Sequence, residues 1–470
     1  MPPTALATLC AEIAALSSEH PVGRVVSVEG DLVRLAGLSH LARLGDILEI
    51  RRKDAPALTG EVIRLSDQDV AMLPDEAPTG VSLGQPAVLR DASDIAPDDS
   101  WVGRLIDPFG RPLDGSPLLR GARRRPLRAR PPAPARRRPL GGRLETGMAV
   151  FNTLLPIVRG QRIGLFAGSG VGKTNLLGHL GRNMQADIVV FALIGERGRE
   201  LGEFVRDVLG REGLKRSVVV AATSDQSPLM RRRCAWAAMS VAEHFRDAGH
   251  HVLFLADSVT RFAEAHREVA TAAGELPALR GFPASTAHQI MSLCERAGPG
   301  EGAGGDITAL FSVLVAGSDM DEPVADILRG VLDGHVVLDR EIAERGRYPA
   351  IDLLRSISRS LPRAASDEEN EMILRARSLL GRYAHSEAMI KAGLYAQGSD
   401  PALDQALRVW DDLDAFIGEK EAVSARNSFK RLEMILRRTS QSGGGVASVS
   451  SSPARQSGAS SVRRAVPPAA

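Results

Sequence analysis

Residues 162–174 read Arg-Ile-Gly-Leu-Phe-Ala-Gly-Ser-Gly-Val-Gly-Lys-Thr, and no other stretch restricts the possible folds so sharply. An apolar run (Ile163, Leu165, Phe166) stops at a glycine-rich turn, and Lys173-Thr174 opens a helical pattern. A strand feeding a tight loop and then a helix demands an α/β layer. In such a loop, formed here by Gly168, Ser169, Gly170, Val171 and Gly172, consecutive backbone N–H groups turn inward and cradle phosphate oxygens. Lys173 is spaced to reach the β- and γ-phosphates, and the Thr174 hydroxyl to ligate Mg²⁺. The first position is Ala167 instead of the usual glycine; the turn needs its freedom mainly at Gly168, Gly170 and Gly172. The alternative, an ordinary strand–turn–helix, leaves a lysine opposing the helix dipole with no anion to balance it.

The flanking pattern extends the α/β reading. Near-continuous apolar runs occur at 188–194, 218–222, 252–256 and 308–315. Continuous instead of alternating apolarity means strands buried on both faces, hence a largely parallel sheet flanked by helices over 150–364. Upstream, 21–92 has another texture: short alternating strands such as Arg24–Val28, Leu32–Leu35, Ile47–Ile50 and Glu61–Leu65, separated by glycines or acidic turns, predict a small β-barrel. No aromatic stacking platform is visible in it, which favours a structural role over oligonucleotide binding. Downstream, 365–438 reads as helical. Ser399-Asp400-Pro401 starts a helix whose Leu403, Leu407, Trp410 and Leu413 share a face, and Phe429, Leu432 and Leu436 follow the same rule.

Three segments lie outside these blocks. Residues 1–20 carry Leu6, Leu9, Ile13 and Leu16 at helical spacing, either packing on the next domain or docking another protein. Residues 93–149 form a connector whose 120–139 stretch is rich in arginine and proline. It is expected to be extended and exposed, a solvated linker or a contact for anionic lipid or RNA. The tail, 439–470, is Ser/Gly/Ala/Pro-rich without periodicity and is expected to be disordered.

Bulk properties narrow the function. With 59 basic and 57 acidic residues the net charge is +2, which argues against an obligatory nucleic-acid partner. The three cysteines, Cys10, Cys234 and Cys294, lie far apart, which fits a reducing cytoplasm and excludes a zinc ribbon. No apolar run is long enough to span a membrane, and the N-terminus lacks signal-peptide character.

A nucleotide hydrolase needs a metal-coordinating acid, a carboxylate to position water, and positive charge at the γ-phosphate. The strand from His251 to Ala256 ends in Asp257, the Walker B arrangement. The strand 188–194 leads to Gly195-Glu196-Arg197, where Glu196 is placed to polarise water and Arg197 to balance its charge. Arg261, four residues after Asp257, either touches phosphate or pairs with an acid. Tyr348, in a chain with 3 tyrosines, either stacks on adenine or packs. Arg359 is either an arginine finger for a neighbouring subunit or a salt-bridge arginine.

Taken together, GRLIDPFGRPLDG (103–115), the phosphate loop, IGERGRE (194–200), LADSVTRF (255–262) and GRYPAIDLLRSISR (346–359) resemble the RecA-like rotary ATPase superfamily, which includes the catalytic subunit of F-type ATP synthase. Within it the chain is most similar to the type III export branch. AGLYAQGSDPALDQAL (392–407) resembles that branch's C-terminal domain, and the loop AGSGVGKT resembles its flagellar members. The resemblance runs from about residue 21 to 436. It implies a multidomain fold: N-terminal β-barrel, central RecA-like α/β domain with mostly parallel sheet, C-terminal α-helical domain.

The same resemblance implies a Mg-dependent ATPase energising flagellar protein export, with ATP and Mg²⁺ held by Lys173, Thr174 and Asp257. Glu196 would be the catalytic glutamate, Tyr348 the adenine cover, Arg359 the trans finger, and Arg197 and Arg261 supporting arginines. It implies a homohexamer, a stator-like regulatory partner at the N-terminal helix, and a central stalk with export substrates or chaperones at the C-terminal helices. The ring would be cytoplasmic, peripherally associated with the export gate at the inner membrane, where a contact with anionic lipid is open. Leu279–Pro283 resembles a loop lining the ring's channel. The alternatives are a virulence (injectisome) secretion ATPase and, more remotely, an RNA-translocating ring helicase. The connector is more basic, and Thr286-Ala287-His288 less apolar, than the resemblance leads one to expect.

Overall fold

Alternation of buried and exposed side chains closes the first domain. The computed structural model describes residue 13 and residues 19–440, apart from 54, 91–93, 316–319 and 422. The expected N-terminal helix and tail therefore lie essentially outside the described residues. Strands β1 (Val22–Glu29), β2 (Leu32–Ala36), β3 (Ile47–Ile50), β4 (Leu58–Leu65), β5 (Asp69–Pro74) and β6 (Pro86–Arg90) form a closed barrel in the order β1-β2-β5-β4-β3-β6. Val33, Leu35, Leu48, Ile50, Val62 and Met72 point inward and fill it. Its core contains no aromatic residue, so closure rests on aliphatic side chains and Met72.

The central sheet adds β7 (Leu105–Ile106), β8 (Arg162–Ala167), β9 (Ile188–Glu196), β10 (Ser217–Thr223), β11 (His251–Asp257), the small hairpin β12 (Pro277–Leu279) and β13 (Phe282–Pro283), then β14 (Gly298–Pro299), β15 (Asp306–Leu314), β16 (Gly334–Leu338) and β17 (Ile351–Ser358). Apart from the separate hairpin, the order is β17-β16-β8-β15-β11-β9-β10-β7, with β14 alongside β15. Neighbours are parallel except β16–β17 and β14–β15. β8, β9, β11 and β15 are almost wholly buried, as their unbroken apolar runs require. Because β8, β15 and β11 are adjacent and parallel, their C-terminal ends open on one edge of the sheet.

Helices cover both faces. The short α1 (Ala149–Asn152) precedes β8, α2 (Lys173–Asn183) follows it, and α3 (Gly198–Glu203) and α4 (Gly210–Leu214) follow β9. Then come α5 (Pro228–Asp247), α6 (Val259–Ala272), α7 (Ser285–Glu295), α8 (Pro323–Val331) and α9 (Arg340–Glu344). The C-terminal helices are α10 (Asp367–Lys391), started by a Ser366/Glu369 capping box, α11 (Pro401–Gly418), capped by Asp400, and α12 (Ala425–Arg437), capped by Ser424. Leu403, Leu413, Phe416 and Leu432 share a core with Val150, Phe151 and Ile351. The helical segment is thus packed onto the sheet domain through a continuous apolar interior.

The arginine/proline stretch departs from expectation. It is irregular, as proline demands, but several of its arginines are anchored instead of solvated. Arg125 pairs with Asp247 at 2.7 Å and Arg138 with Asp306 at 2.7 Å, while Arg128 lies 4.4 Å from the Trp236 ring centroid. The Leu127 carbonyl accepts from Arg296, which also makes a two-pronged bond to Glu243 at 2.9 and 2.7 Å. Arg296 and Glu243 are 1% and 3% exposed, so each depends on the other for compensation.

Candidate active site

The phosphate loop begins where β8 ends. Ala167 is its last strand residue, paired with Leu314 and Leu338, and this extended position has no need of glycine. The left-handed backbone falls on Gly170 (φ +79°) and Gly172 (φ +84°), and not on Gly168 as the sequence suggested. Gly172 has a second constraint: a Cβ there would lie 3.0 Å from the Tyr348 ring. Gly172 caps α2 and offers no side chain to its first N–H groups, which leaves those donors for an anion.

Lys173, the first residue of α2, is 9% exposed, and its Nζ donates to Asp257 Oδ1 at 2.5 Å. Asp257 closes β11 and is 4% exposed. The same Oδ1 accepts a hydrogen bond from the Ser312 hydroxyl on β15 at 2.6 Å. Glu196 closes β9, one strand further along, after Gly195 at φ +70°. Burial, and then the negative charge of Asp257, push the Glu196 carboxyl up to about 7; Lys173 opposes the shift and a hydrogen bond with Glu200 adds to it. A cavity of about 270 Å³ lies among Thr174, Asn175, Glu196, Glu200, Phe204 and Asp257. Its charged floor holds four carboxylates, Glu196, Glu200, Glu203 and Asp257, with Lys173 paired to Asp257 and the uncapped start of α2 alongside.

Of the residues singled out from sequence, the fold brings together the loop from Gly168 to Thr174, Glu196, Asp257 and Tyr348, whose ring is 54% exposed beside Gly172. Two arginines sit at the rim and are engaged locally: Arg197 with Glu200 at 3.4 Å, and Arg261 with Glu264 at 3.0 Å. Arg359 is not part of the cluster. Ser358 pairs with Gly334 at the start of β16, whereas the phosphate loop meets Leu338 at its far end. Its guanidinium donates to the carbonyls of Leu332 and Arg329 at 3.0 and 3.1 Å. Sequence reading missed Glu200 and Ser312. The signals were present: Glu200 is four residues from Glu196, and Ser312 is the one polar residue inside the apolar run from Ala309 to Val315.

The fold and this edge of the sheet define a P-loop ATPase of the kind built around a rotary-ATPase nucleotide domain. Residues 147–358 match the ATP synthase alpha/beta family, nucleotide-binding domain, and residues 365–434 match the T3SS EscN ATPase C-terminal domain. The flagellum-specific ATP synthase of Caulobacter vibrioides is 43% identical over 424 residues, covering 88% of this chain and 95% of that protein. That of Salmonella typhimurium is 40% identical over 445 residues, covering 92% and 97%. Among solved structures, the assembled ATPase EscN of the enteropathogenic E. coli type III secretion system superposes with a TM-score of 0.82 at 37% identity, over 88% of this chain and 100% of that one. EscN in complex with its central stalk EscO gives 0.80 at 37% identity, with the same coverage. The chain belongs to the flagellum-specific ATP synthase family and is an ATPase.

Proposed function

We propose that this chain hydrolyses ATP to energise flagellar type III protein export, working as a homohexameric ring around a central stalk protein. The observation that carries the reading is the identity of 40% or more to flagellum-specific relatives over about nine-tenths of the chain, joined to an export-type C-terminal domain. The assembled EscN and its stalk complex support the ring and the stalk. Export substrates or chaperones at the C-terminal helices, a stator-like regulator at residues 1–20, and peripheral attachment at the membrane export gate complete the proposal. No helix among the described residues is long and apolar enough to cross a membrane.

The chemistry follows from the site. Incoming phosphates compete with Asp257 for Lys173, and the free N–H groups of α2 take up their oxygens. The Thr174 hydroxyl and Asp257 carboxylate are hard oxygen donors, the kind Mg²⁺ takes one or two of alongside phosphates. When bound, Mg²⁺ supplies charge neutralisation at those phosphates. Glu196, with a proton affinity near neutrality, orients the attacking water and draws on its proton. Tyr348 covers the adenine, Arg197 and Arg261 support the phosphate, and Arg359 enters the neighbouring subunit's site. A deletion strain complemented with wild-type or Glu196→Gln protein tests the physiological part. Motility and flagellin export are expected to return only with wild type. Restored injection of virulence proteins with unchanged motility would instead select the injectisome reading.

A further inference from the structure

Ser312 is polar, 0% exposed, and lies in the strand between the phosphate-loop strand and the Asp257 strand. The register follows from the pairing: Ser312 stands opposite Leu165 on β8, and on the other side Phe311 pairs with Ala256, the residue before Asp257. Its hydroxyl donates to Asp257 Oδ1 at 2.6 Å, the length of a charge-assisted bond. The backbone of a parallel strand needs no serine there, and every neighbour from Ala309 to Val315 is apolar. A buried hydroxyl that meets a buried carboxylate serves that carboxylate.

Lys173 and Ser312 both bind Oδ1, so neither occupies Oδ2. Lys173 is a flexible partner that phosphate can draw away; Ser312 is fixed in the centre of the sheet. We infer that Ser312 is a positioning residue that holds the Asp257 carboxylate in its metal-binding orientation after Lys173 has moved to the phosphates. The inference rests on the proposed roles of Lys173 and Asp257. Without the hydroxyl, the buried carboxylate has lost its stationary donor at the moment its cationic partner leaves. A carboxylate without that anchor presents its oxygens to the metal less well, so the loss is read in the gain in affinity that Mg²⁺ brings to nucleotide.

The test uses the full chain and a fluorescent ATP analogue titrated with and without Mg²⁺, beside steady-state hydrolysis. Ser312→Ala is expected to lose about tenfold of the Mg²⁺-dependent gain in affinity and about tenfold in kcat. Ser312→Thr keeps the hydroxyl on a strand-favouring side chain and is expected to recover most of both. An undiminished Mg²⁺ gain in Ser312→Ala overturns the inference. So does a Ser312→Thr protein that melts like wild type yet is as defective as the alanine variant. Asp257→Asn separates the two levels: a lost Mg²⁺ gain there with an unaffected Ser312→Ala removes only the Ser312 role, whereas a retained gain in Asp257→Asn removes the reading of the site itself.

Discussion

Glu196 shows how a single residue is tuned by its neighbours. Its carboxyl is raised from the ordinary 4.5 to about 7, first by burial and then by Asp257. The deprotonated form is the one that can draw on a water proton, so kcat/KM is expected to fall as pH drops below about 7. Glu196→Gln is expected to lower turnover by two orders of magnitude or more while nucleotide still binds, which single-turnover hydrolysis and analogue binding would measure separately. The same shift bears on stability. A folded-state value above the unfolded one contributes stability that is full below about 4.5 and is lost as pH rises through 7. The melting temperature of Glu196→Gln relative to wild type should therefore climb between pH 4.5 and 7. The upper limit is about 3 kcal/mol, reduced by solvent screening at this half-buried site. A flat difference across that range would detach Glu196 from the charged floor.

At the scale of elements, the histidines on the sheet and on α6 behave in the opposite sense. Burial is the main reason that His251 and His266 both sit at about 4, with Arg159 and Arg232 respectively as the next cause. Each contributes stability that is present above about 6.5 and lost as pH falls toward 4. Acid unfolding of a His251→Gln variant should accordingly begin at lower pH than wild type. The clamp joining α5, α7 and the connector gives a second measurement. Arg296→Met strands Glu243 in the interior and is expected to cost about 3–5 kcal/mol, while adding Glu243→Gln should return part of it. Denaturant midpoints of the single and double variants would show the recovery, and an equal loss in both would argue against the pair. These elements also show what a sequence reveals. The buried strands were legible because their apolarity is unbroken, and the barrel because its apolarity alternates. The anchoring of 120–139 was not, because its partners Asp247, Glu295, Glu301 and Asp306 come from elements far along the chain. Ser312 stands out in the sequence as a polar residue in an apolar run, but its partner Asp257 lies on another strand and only the fold reveals it.

At the scale of the whole molecule, the phosphate loop and Arg359 lie at opposite ends of β16, and one chain does not bring them together. Both are legible in the sequence, but their separation along β16 is not. The proposed ring with shared sites accounts for this separation: a head-to-tail interface would set one subunit's loop against the next subunit's Arg359. Arg359 is meanwhile held at the carbonyl end of α8 by Leu332 and Arg329, where a cation is well placed to wait. Arg359→Ala and Lys173→Ala homomers should each be inactive, for lack of the finger and of the loop lysine. Co-assembled, a site built from the Arg359→Ala loop and the Lys173→Ala finger is complete. Random equal mixing makes about a quarter of all interfaces complete, so a corresponding fraction of wild-type hydrolysis is expected if sites act independently. The activity should vanish when the two variants are assembled separately and mixed without exchange. Absence of any activity from co-assembled rings, with assembly verified by mass, would place the positive charge at the γ-phosphate elsewhere, and Arg197 and Arg261 at the rim would be the next residues to test.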